Sequence, residues 1–488
     1  MTQKFNIPNE VSQVTKTLEK AGFQAFLVGG CVRDLILGKK PKDWDITTDA
    51  KPEQIVDLFP KTVYENKFGT VAVITESVEE SLKVIEVTPF RLEAKYTDFR
   101  HPDSVTFAKN LEDDLARRDF TVNAMALDSE GKTIDPWAGQ KDLKNKIIRS
   151  VGNPKERFQE DALRLMRTVR FATELDFEIE KETAGAAKEI SPLIEKISVE
   201  RISDEFVKII MSENPMRGII LLEEFSLLKF ILPEVREGIK ITQNKDHIYD
   251  VWEHSLRALQ HGAKRAWPLE VRLAALFHDV GKPRTREWVE EKGDYTFYGH
   301  DVVGAKMTKK ILERMRFSKK EIEIISKLVR YHMFFSDVEK ITLSAVRRLL
   351  VSVGKENIWY LMNVRACDRI GMGRPKESPY RLRKYESMIE EVMRDPISVG
   401  MLKINGAKIM ELTSEKPGPR IGLILHALLE EVLEDPKKNT EEYLEEKAIE
   451  LAGLREDRLE ELGTAGKEKR LALEEKEIAE IRGKYGVK

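Results

Sequence analysis

The N-terminal region contains the segment Phe23-Gln24-Ala25-Phe26-Leu27-Val28-Gly29-Gly30-Cys31-Val32-Arg33-Asp34, followed by Asp43-Trp44-Asp45-Ile46, which is its most informative part. It predicts a strand, a glycine turn, a short helix, a loop and a second strand. Asp43 and Asp45 stand at i and i+2, so their side chains would share one face of that strand. Two adjacent carboxylates are ligands suited to the hydrated Mg²⁺ that accompanies a nucleoside triphosphate.

The Gly29-Gly30 pair supports the same interpretation. Glycines let backbone N–H groups approach phosphates closely, and the N-terminus of the following helix favours an anion. Alone, a Gly-Gly pair is usually an ordinary turn, and an Asp-x-Asp pair is usually two solvated charges. Their combination at this spacing predicts a nucleotide site with Asp43 and Asp45 as the magnesium ligands.

Composition limits the classes of protein to consider. A length of 488 residues suggests about three domains, and 41% hydrophobic with 34% charged residues suits a soluble globular protein with long helices. The net charge of −2 gives no general basic field, so an RNA site must be a local patch. Two cysteines, no signal pattern and no apolar run of membrane-spanning length predict a cytoplasmic protein without membrane attachment.

The first 150 residues have an α/β pattern. Residues 9–21 predict a helix, and the β-branched runs 70–74 and 83–87 predict a hairpin beside the strand that carries the two aspartates. The polar stretch 92–110 predicts a loop. Beyond residue 151 helical periodicity takes over, so the fold class is α+β with a mixed or antiparallel sheet in the head.

A second group of polar residues, Arg117-Arg118-Asp119-Phe120-Thr121-Val122-Asn123, precedes the apolar run 124–127. Arg-Arg-Asp alone is most often a surface ion pair. The asparagine four residues after the aspartate favours a second interpretation. In it, Arg118 neutralises phosphate while Asp119 and Asn123 hydrogen-bond sugar hydroxyls.

The segment 160–172 predicts an amphipathic helix. Its apolar face holds Ala162, Leu165, Met166, Val169 and Ala172, and its opposite face holds Asp161, Arg164, Arg167 and Arg170. The polar face is either a solvated basic surface or a device that selects a base. In the second case Asp161 accepts from an exocyclic amine and Arg164 donates to an unprotonated ring nitrogen, which selects C and A against U and G.

Taken in order, these motifs resemble those of the class II tRNA nucleotidyltransferases, the CCA-adding enzymes, and the related bacterial poly(A) polymerases. The resemblance covers nearly all of the first 235 residues, and it extends to Lys67-Phe68-Gly69-Thr70-Val71, Asp135-Pro136-Trp137-Ala138-Gly139-Gln140-Lys141-Asp142-Leu143 and Glu160-Asp161-Ala162-Leu163-Arg164. Ala138 departs from the family, which often has glycine there. The change is conservative in a turn.

The resemblance implies a role for each motif. Asp43 and Asp45 would bind catalytic Mg²⁺, and Gly29, Gly30 and Arg33 would hold the triphosphate. Arg118 would contact the nucleotide, while Asp119 and Asn123 would support ribose recognition. Asp161 and Arg164 would select the base, and Arg167 and Arg170 would contact the nucleotide beside them. The substrates implied are CTP, ATP and tRNA. The segment 96–103 resembles the flexible loop of CCA-adding enzymes, and Lys67-Phe68-Gly69-Thr70 is their variant of that motif. Both favour CCA addition over the alternative, a poly(A) or A-adding polymerase.

A second centre follows the order His254, His278-Asp279, Asp368, which resembles the signature of the HD phosphohydrolase superfamily. An adjacent His and Asp at a helix end can bind one or two metals, and His300 and His332 are the further histidines expected of a two-metal site. The expected ion is a divalent transition metal such as nickel or manganese, and Lys282 could hold a substrate phosphate. The expected activity is a 2′,3′-cyclic phosphodiesterase or phosphatase. His101, His247, His261 and His426 have no comparable setting.

The predicted organisation is a nucleotidyltransferase head at 1–150, a helical neck at 151–235, an HD domain at 236–375 and a tRNA-binding helical tail at 376–488. The tail is either a solvated helical face or an RNA contact. Two other interpretations stay open. One is an RNA-processing phosphohydrolase whose head only binds nucleotide, and the other is a non-catalytic tRNA-binding protein. No protein partner is implied.

Overall fold

The computed structural model describes residues 5–64, 69–93, 105–108, 110–243, 248–334 and 341–462. The chain forms two compact units, Met1–Pro233 and Glu234–Lys488. The finer division into head, neck, HD domain and tail stays a prediction. The segment 96–103, His101 and His247 lie outside the described residues, as do Lys67, Phe68 and the end of the tail from residue 463.

The helices of the first unit are α1 (Asn9–Lys20), α2 (Gly30–Ile36), α3 (Pro52–Leu58), α4 (Leu111–Ala116), α5 (Gly139–Asn145), α6 (Pro154–Glu160), α7 (Leu163–Leu175), α8 (Lys181–Ile190), α9 (Val199–Met211), α10 (Pro215–Glu224) and α11 (Leu228–Ile231), with 3₁₀ turns at Glu80–Leu82, Thr121–Asn123 and Ser191–Lys196. Its strands are β1 (Ala25–Val28), β2 (Asp45–Thr48), β3 (Thr62–Tyr64), β4 (Val71–Ile74), β5 (Val84–Pro89), β6 (Arg91–Glu93), β7 (Val105–Phe107), β8 (Ala126–Leu127), β9 (Thr133–Ile134), β10 (Ile147–Ile148) and β11 (Glu178–Ile179).

The second unit is almost entirely helical. Its helices are α12 (Pro233–Arg236), α13 (Val251–Lys264), α14 (Leu269–Phe277), α15 (Lys282–Thr285), α16 (His300–Arg314), α17 (Lys319–Tyr331), α18 (Leu343–Val353), α19 (Ile358–Gly371), α20 (Tyr380–Val392), α21 (Gly406–Thr413), α22 (Pro419–Glu434) and α23 (Glu441–Ala452), with 3₁₀ turns at Glu290–Lys292, Val399–Met401 and Pro436–Lys438. Within the described residues of this unit, β12 (Glu287–Val289) and β13 (Asp294–Thr296) form a hairpin between helices.

The head contains a seven-stranded sheet in the order β3-β4-β5-β2-β1-β8-β9. β2 and β5 pair in parallel and the other neighbours pair antiparallel, which confirms the predicted mixed sheet. β4 and β5 form the predicted hairpin, and β5 lies beside β2 as expected. Leu27 and Ile46 are among the core residues of this sheet, and Val11 and Leu18 from α1 belong to the same cluster.

The pairing of β1 with β2 brings the glycine turn to the aspartates. The strands are antiparallel with Leu27 opposite Ile46, so the end of β1 lies beside the start of β2. Gly29 follows β1 and Asp45 begins β2. Asp43 lies in the bend before β2, so the expectation that both aspartates sit on the strand is wrong for Asp43.

The predicted loop at 92–110 is wrong at its two ends. Arg91–Glu93 and Val105–Phe107 pair as the short antiparallel strands β6 and β7. The pairing satisfies backbone groups that a free loop would leave to water.

The predicted helix at 160–172 is two helices. α6 ends at Glu160, Asp161 has an extended backbone, and α7 begins at Leu163. The Asp161 Oδ1 atom accepts a hydrogen bond from the N–H of Leu163 at 3.0 Å, a local bond that competes with helix continuation. The predicted apolar face is confirmed, since its members Ala162, Leu165, Met166, Val169 and Ala172 are all completely buried.

In the second unit, α14 packs against α13, α17 and α19, and α16 packs against α17. α14 is buried along almost its whole length, which suits its run of apolar residues. Across the ranges that the structure describes, the helices lack the combination of length and apolar content that a membrane crossing needs.

Candidate active sites

The first site surrounds the glycine turn. Gly29 has φ of 77°, a conformation that favours glycine, and a Cβ there would lie 3.0 Å from Arg118 Nη1 and 3.5 Å from Asp45 Oδ2. A Cβ on Gly30 would lie 3.8 Å from Asp43 Oδ1 and 3.7 Å from an Arg33 nitrogen. Two carboxylates and two guanidinium groups therefore converge on backbone that carries no side chains.

The electrostatics of the carboxylate pair suit a cation. Burial raises the pKa of Asp45 to about 6, and the neighbouring Asp43 carboxylate contributes to the rise. A divalent cation between them would remove this repulsion. Two carboxylate oxygen donors fit Mg²⁺, which takes few protein ligands and keeps several waters.

Asp114 positions Arg118 and was not singled out by the sequence. It is completely buried on α4 and pairs with Arg117 at 2.8 Å and with Arg118 at 3.3 Å. Burial raises the pKa of Asp114, but the two guanidinium groups lower it below its ordinary value. The spacings i,i+3 and i,i+4 are those at which helix side chains meet, and they were the available signal.

The residues of the second motif form one hydrogen-bonded chain. Arg33 donates to Asn123 Oδ1 at 2.9 Å, Asn123 donates to Asp119 Oδ1 at 3.3 Å, and Asp119 Oδ2 accepts from Arg167 at 2.7 Å. Asp119 and Asn123 are buried. The chain joins Arg33 on α2 to Arg167 on α7, so the surface ion pair expected of Arg-Arg-Asp is wrong for Asp119.

We expect this network to make the head sensitive to acid. Burial raises the pKa of Asp119, but Arg167 and Arg164 lower it to about 2. A folded-state pKa below the unfolded value contributes stability above about pH 4, and this stability is lost as the pH falls toward 2. Asp119→Asn should therefore lower the free energy of unfolding by about 2 kcal/mol at pH 7 and by roughly half as much at pH 3. Urea unfolding at both pH values measures the difference.

Asp176→Asn is the matched control for Asp119→Asn. Asp176 pairs with Arg217 at 2.9 Å but is two-thirds exposed, so its replacement should cost little at either pH. A stability loss for Asp119→Asn that is equal at pH 7 and pH 3 would show that its carboxylate charge is not what stabilises the head.

Asp161 and Arg164, which the sequence predicts to select the base, are held by protein partners. Arg201 on α9 contacts both carboxylate oxygens of Asp161, at 3.3 and 2.7 Å. Arg164 donates to Glu160 at 2.6 Å and to the carbonyl of Arg117 at 2.8 Å, and it is buried. The solvated basic face is therefore wrong for Arg164. The sequence carried no signal for Arg201, which lies 40 residues from Asp161.

Arg167 and Arg170 flank an aromatic ring. The guanidinium carbon of Arg170 lies 4.0 Å from the centre of the Phe171 ring, and those of Arg167 and Arg33 lie 5.3 and 5.5 Å from it. Arg170 also pairs with the buried Glu205 at 2.6 Å. The structure thus brings Arg33, Arg167 and Arg170 to one ring, a cation–π arrangement that limits their motion.

The second site lies in the helical unit, where six predicted ligands meet. His254 comes from α13, His278 and Asp279 follow α14, His300 begins α16, His332 follows α17 and Asp368 comes from α19. All six side chains are buried. Two triads could each hold a metal ion, and they share Asp279: His254, His278 and Asp279 form one, and Asp279, His300 and His332 form the other.

Distances within the cluster are short. Asp279 Oδ2 lies 3.0 Å from His254 Nε2 and 3.2 Å from His278 Nε2, and Asp279 Oδ1 lies 3.4 Å from His300 Nε2 and 3.7 Å from His332 Nε2. Asp368 Oδ1 lies 3.4 Å from His254 Nε2. The geometry places Asp279 between two pairs of imidazoles.

The imidazole tautomers fit a metal. The Nδ1 atoms of His278, His300 and His332 lie 2.7–2.8 Å from the backbone carbonyls of Ala275, Phe297 and Val329. A carbonyl only accepts, so each Nδ1 must donate, and in the neutral rings of His300 and His332 the Nε2 lone pair is directed into the cluster. The Nε2 atoms of His300 and His332 lie 3.3 Å apart. Two facing lone pairs repel unless a proton or a metal lies between them.

The histidines of the cluster differ in the direction of their pKa shifts. Burial lowers the pKa of His278, but Asp279 and Asp368 raise it to about 10. Burial lowers the pKa of His300 and His332, which keeps both rings in the neutral form that binds metals. The Lys282 Nζ donates to Gln243 at 2.6 Å and lies 2.7 Å from Asp279 Oδ2, so a cation stands at the rim of the cluster.

His261 and His426 lie outside this cluster. His261 pairs with Glu377 at 3.0 Å, and His426 is exposed on α22.

Three known sequence families match parts of the chain. Residues 25–149 match the poly A polymerase head domain, residues 176–239 match a probable RNA- and SrmB-binding site of polymerase A, and residues 251–372 match the HD domain.

Curated relatives match the N-terminal half. The chain is 50% identical over 224 residues to a CCA-adding enzyme of Ligilactobacillus salivarius, which covers 45% of this chain and 54% of the relative. It is 49% identical over 235 residues to a CCA-adding enzyme of Enterococcus faecalis, which covers 47% of this chain and 56% of the relative. The matched region thus spans about half the length of these relatives.

Solved structures match over most of the chain. The Bacillus stearothermophilus CCA-adding enzyme in complex with CTP is 30% identical, with a TM-score of 0.70, and the alignment covers 90% of this chain and 96% of that one. The Thermotoga maritima CCA-adding enzyme complexed with tRNA_CCA is 21% identical, with a TM-score of 0.53 over 91% of this chain and 95% of that one, and it shares the fold. Identity at this level over nearly the whole of the Bacillus enzyme places the chain in the CCA-adding enzyme family of tRNA nucleotidyltransferases and poly(A) polymerases, here with an HD domain.

Proposed function

We propose that the first unit adds C, C and A to the 3′ end of tRNA from CTP and ATP without a nucleic-acid template. The observation that carries this proposal is the convergence of Asp43, Asp45, Arg33 and Arg118 on the glycine turn. Relatives that carry the name CCA-adding enzyme support the choice of reaction, and related structures hold CTP, ATP or tRNA. Sequencing the 3′ ends of tRNA incubated with all four nucleotides tests it.

Each group of residues at the site in the head has its own role in nucleotide addition. Gly29 and Gly30 offer backbone N–H groups to the triphosphate, and Arg33 and Arg118 neutralise its charge. Mg²⁺ held by Asp43 and Asp45 would lower the pKa of the tRNA 3′-hydroxyl and stabilise the charge of the leaving pyrophosphate. Asp119 and Asn123 would hold the ribose, so most of the rate enhancement comes from positioning and fixed charge.

Base selection is assigned to Asp161 and Arg164, beside Arg167 and Arg170. The Arg201 contact supports this assignment, because it orients both Asp161 oxygens before a nucleotide arrives. A fixed acceptor beside a fixed donor matches the amine and ring nitrogen of C and A. The same pair opposes the carbonyl and N–H of U and G.

We expect Asp161→Ala to reduce the preference for CTP over UTP by about tenfold or more, because the penalty for a mismatched polar edge disappears. Incorporation rates measured with each nucleotide singly give the preference. Glu156→Gln, an exposed charge change on α6, is the control and should leave the preference unchanged. A slower Asp161→Ala enzyme with an unchanged base preference would exclude Asp161 from base selection.

A poly(A) or A-adding polymerase is the alternative within the same family. It receives support from the names of two matching families. The names of the curated relatives, which are about 50% identical to the matched region, favour CCA addition. The 3′-end sequences separate the two, since a poly(A) product contains no C.

For the second unit we propose a metal-dependent 2′,3′-cyclic phosphodiesterase or phosphatase that acts on RNA 3′ ends. The shared Asp279 between two imidazole pairs carries this proposal. Nitrogen and oxygen donors of this kind suit nickel or manganese, and such a metal lowers the pKa of bound water and creates a nucleophile near neutral pH. Lys282 would hold the phosphate. A damaged end that carries a phosphate cannot be extended by the head, so the two reactions complement each other.

The remaining interpretations are weaker. A head that only binds nucleotide, or a non-catalytic tRNA-binding protein, would not require both carboxylates at the glycine turn. The proposal includes domain boundaries at residues 150, 235 and 375 and a helical tail that binds tRNA. Two buried free thiols, Cys31 and Cys367, support a reducing cytoplasm.

A further inference from the structure

The hairpin β12–β13 begins and ends beside the HD cluster. Before it, Lys282 contacts Asp279 at 2.7 Å. After it, the carbonyl of Phe297 lies 2.7 Å from His300 Nδ1. The Lys282 Nζ lies 5.6 Å from the centre of the Phe297 ring. The two strands therefore extend outward from the metal-binding cluster.

The hairpin has two chemically different faces. Trp288 pairs with Tyr295, and Glu287 pairs with Thr296. Side chains alternate along a strand, so Arg286, Trp288, Tyr295 and Phe297 share one face while Glu287 and Asp294 lie on the other. The further acids Glu290 and Glu291 lie in the 3₁₀ turn at the tip. One face is thus aromatic and cationic without a carboxylate.

Contacts among neighbouring side chains fix the aromatic face of the hairpin. The Arg286 guanidinium carbon lies 3.5 Å from the centre of the Tyr295 ring, and its Nη2 donates to Thr242 at 2.6 Å. Trp288 meets Tyr295 edge to face, with ring centres 4.9 Å apart. The contact with Tyr295 holds one side of the Trp288 ring, and 52% of the surface of Trp288 is exposed. A fixed, half-exposed indole offers a large, stiff apolar surface on which a ligand can stack.

We propose that this face, with Trp288 at its outer end, is a stacking platform for the unpaired bases next to the 3′ end of the RNA whose terminal phosphate enters the HD cluster. The proposal rests on the phosphohydrolase function proposed above. Alternating aromatic rings and cations are how proteins bind single-stranded nucleic acid without reading its sequence. The terminal phosphate would lie at Lys282, and the upstream bases would follow the face outward to Trp288.

The distribution of charge favours RNA over a protein or a second copy of the chain. The acids are confined to the opposite face and the tip, where they would repel phosphates and keep the RNA on the aromatic face. A stable protein interface would need more exposed apolar surface than this face offers, since Phe297 is buried and Val289 lies on the acidic face.

A photocrosslinking experiment on the full-length protein tests the platform without requiring catalysis. The probe is a hexaribonucleotide with 4-thiouridine at the penultimate position and a 2′,3′-cyclic phosphate at its 3′ end. We expect crosslinks at Trp288 or Tyr295 by mass spectrometry. In Trp288→Leu we expect them to fall about tenfold, as loss of one base stack predicts. Trp359→Leu replaces another partly exposed tryptophan of this unit and should leave them unchanged.

Hydrolysis kinetics give a second measurement with nickel- or manganese-loaded protein. For the hexanucleotide, Trp288→Leu should raise KM about tenfold with little change in kcat, and Trp288→Phe should restore most of the affinity. For 2′,3′-cyclic AMP, which has no upstream base, KM should stay the same.

The outcomes are distinguishable. Absence of hydrolysis by the unmodified protein would overturn the phosphohydrolase function, and the crosslinks would then decide the platform alone. Hydrolysis with no crosslink at the hairpin and an unchanged KM in Trp288→Leu would overturn the platform and keep the phosphohydrolase. A change in sedimentation of the RNA-free protein on Trp288→Leu, with crosslinks unchanged, would assign the face to self-association and overturn the proposal.

Discussion

Replacement of Asp45 by Asn is expected to reduce nucleotide addition to tRNA by about a thousandfold or more, with Asp43→Asn similar. Stabilisation of the reacting groups by a bound metal is worth several kcal/mol, and each 1.4 kcal/mol is about a tenfold change in rate. Asn keeps the shape of Asp but removes the charge that holds the cation. Binding of tRNA should be nearly intact, because neither carboxylate is expected to contact it strongly. Single-turnover addition of CMP and a filter-binding assay measure the two quantities.

Asp57→Asn is the matched control, since Asp57 is an exposed carboxylate on α3 of the same unit. It should add nucleotides at the normal rate. Near-normal addition by both Asp43→Asn and Asp45→Asn would rule out the metal site at the glycine turn. It would leave the convergence of Arg33 and Arg118 as a nucleotide-binding feature only.

The second large effect is expected at the HD cluster. His278→Ala should abolish hydrolysis of a 2′,3′-cyclic phosphate at an RNA 3′ end, because it removes a ligand whose Nε2 lies 3.2 Å from Asp279. Addition of CCA to intact tRNA should continue, since Asp43 and Asp45 belong to the other compact unit. Metal content by mass spectrometry should fall together with hydrolysis, which gives a readout independent of activity.

His426→Ala is the control, because His426 is exposed and lies apart from the cluster. Should removal of the buried His278 lower the melting temperature, Asp368→Asn replaces a ligand with a group of the same shape and tests the same point. A purified protein without metal that shows no hydrolysis after addition of nickel, manganese or magnesium would reduce the cluster to a structural remnant.

Local sequence predicted the features that depend on neighbours in the chain. The glycine turn and Asp45 come together because short antiparallel strands on either side of α2 leave few other pairings. The apolar face of α7 follows from helical periodicity, which depends only on spacing. An aspartate before an apolar run is also a recognised sign of a helix start, so the break at Asp161 was readable from the sequence.

The order of the six HD ligands was likewise visible in the sequence, but their geometry was not. Packing of α13, α14, α16, α17 and α19 decides that the imidazoles meet around Asp279. The backbone carbonyls of Ala275, Phe297 and Val329 decide which ring nitrogen of His278, His300 and His332 faces inward. Neither property can be read from a motif, because both depend on the orientation of helices far apart in the chain.

Residue types and spacing alone predicted the candidate sites: a carboxylate pair at a glycine turn, a polar helix face and an HD cluster farther along. The partners of these residues became visible in the folded chain: Arg201 at Asp161, Arg167 at Asp119, Asp114 at Arg118 and the aromatic face of the hairpin beside the HD cluster. Motif residues are marked by their type and spacing. Their partners are chosen by burial, because a charge taken out of water needs whichever opposite charge the fold brings within reach.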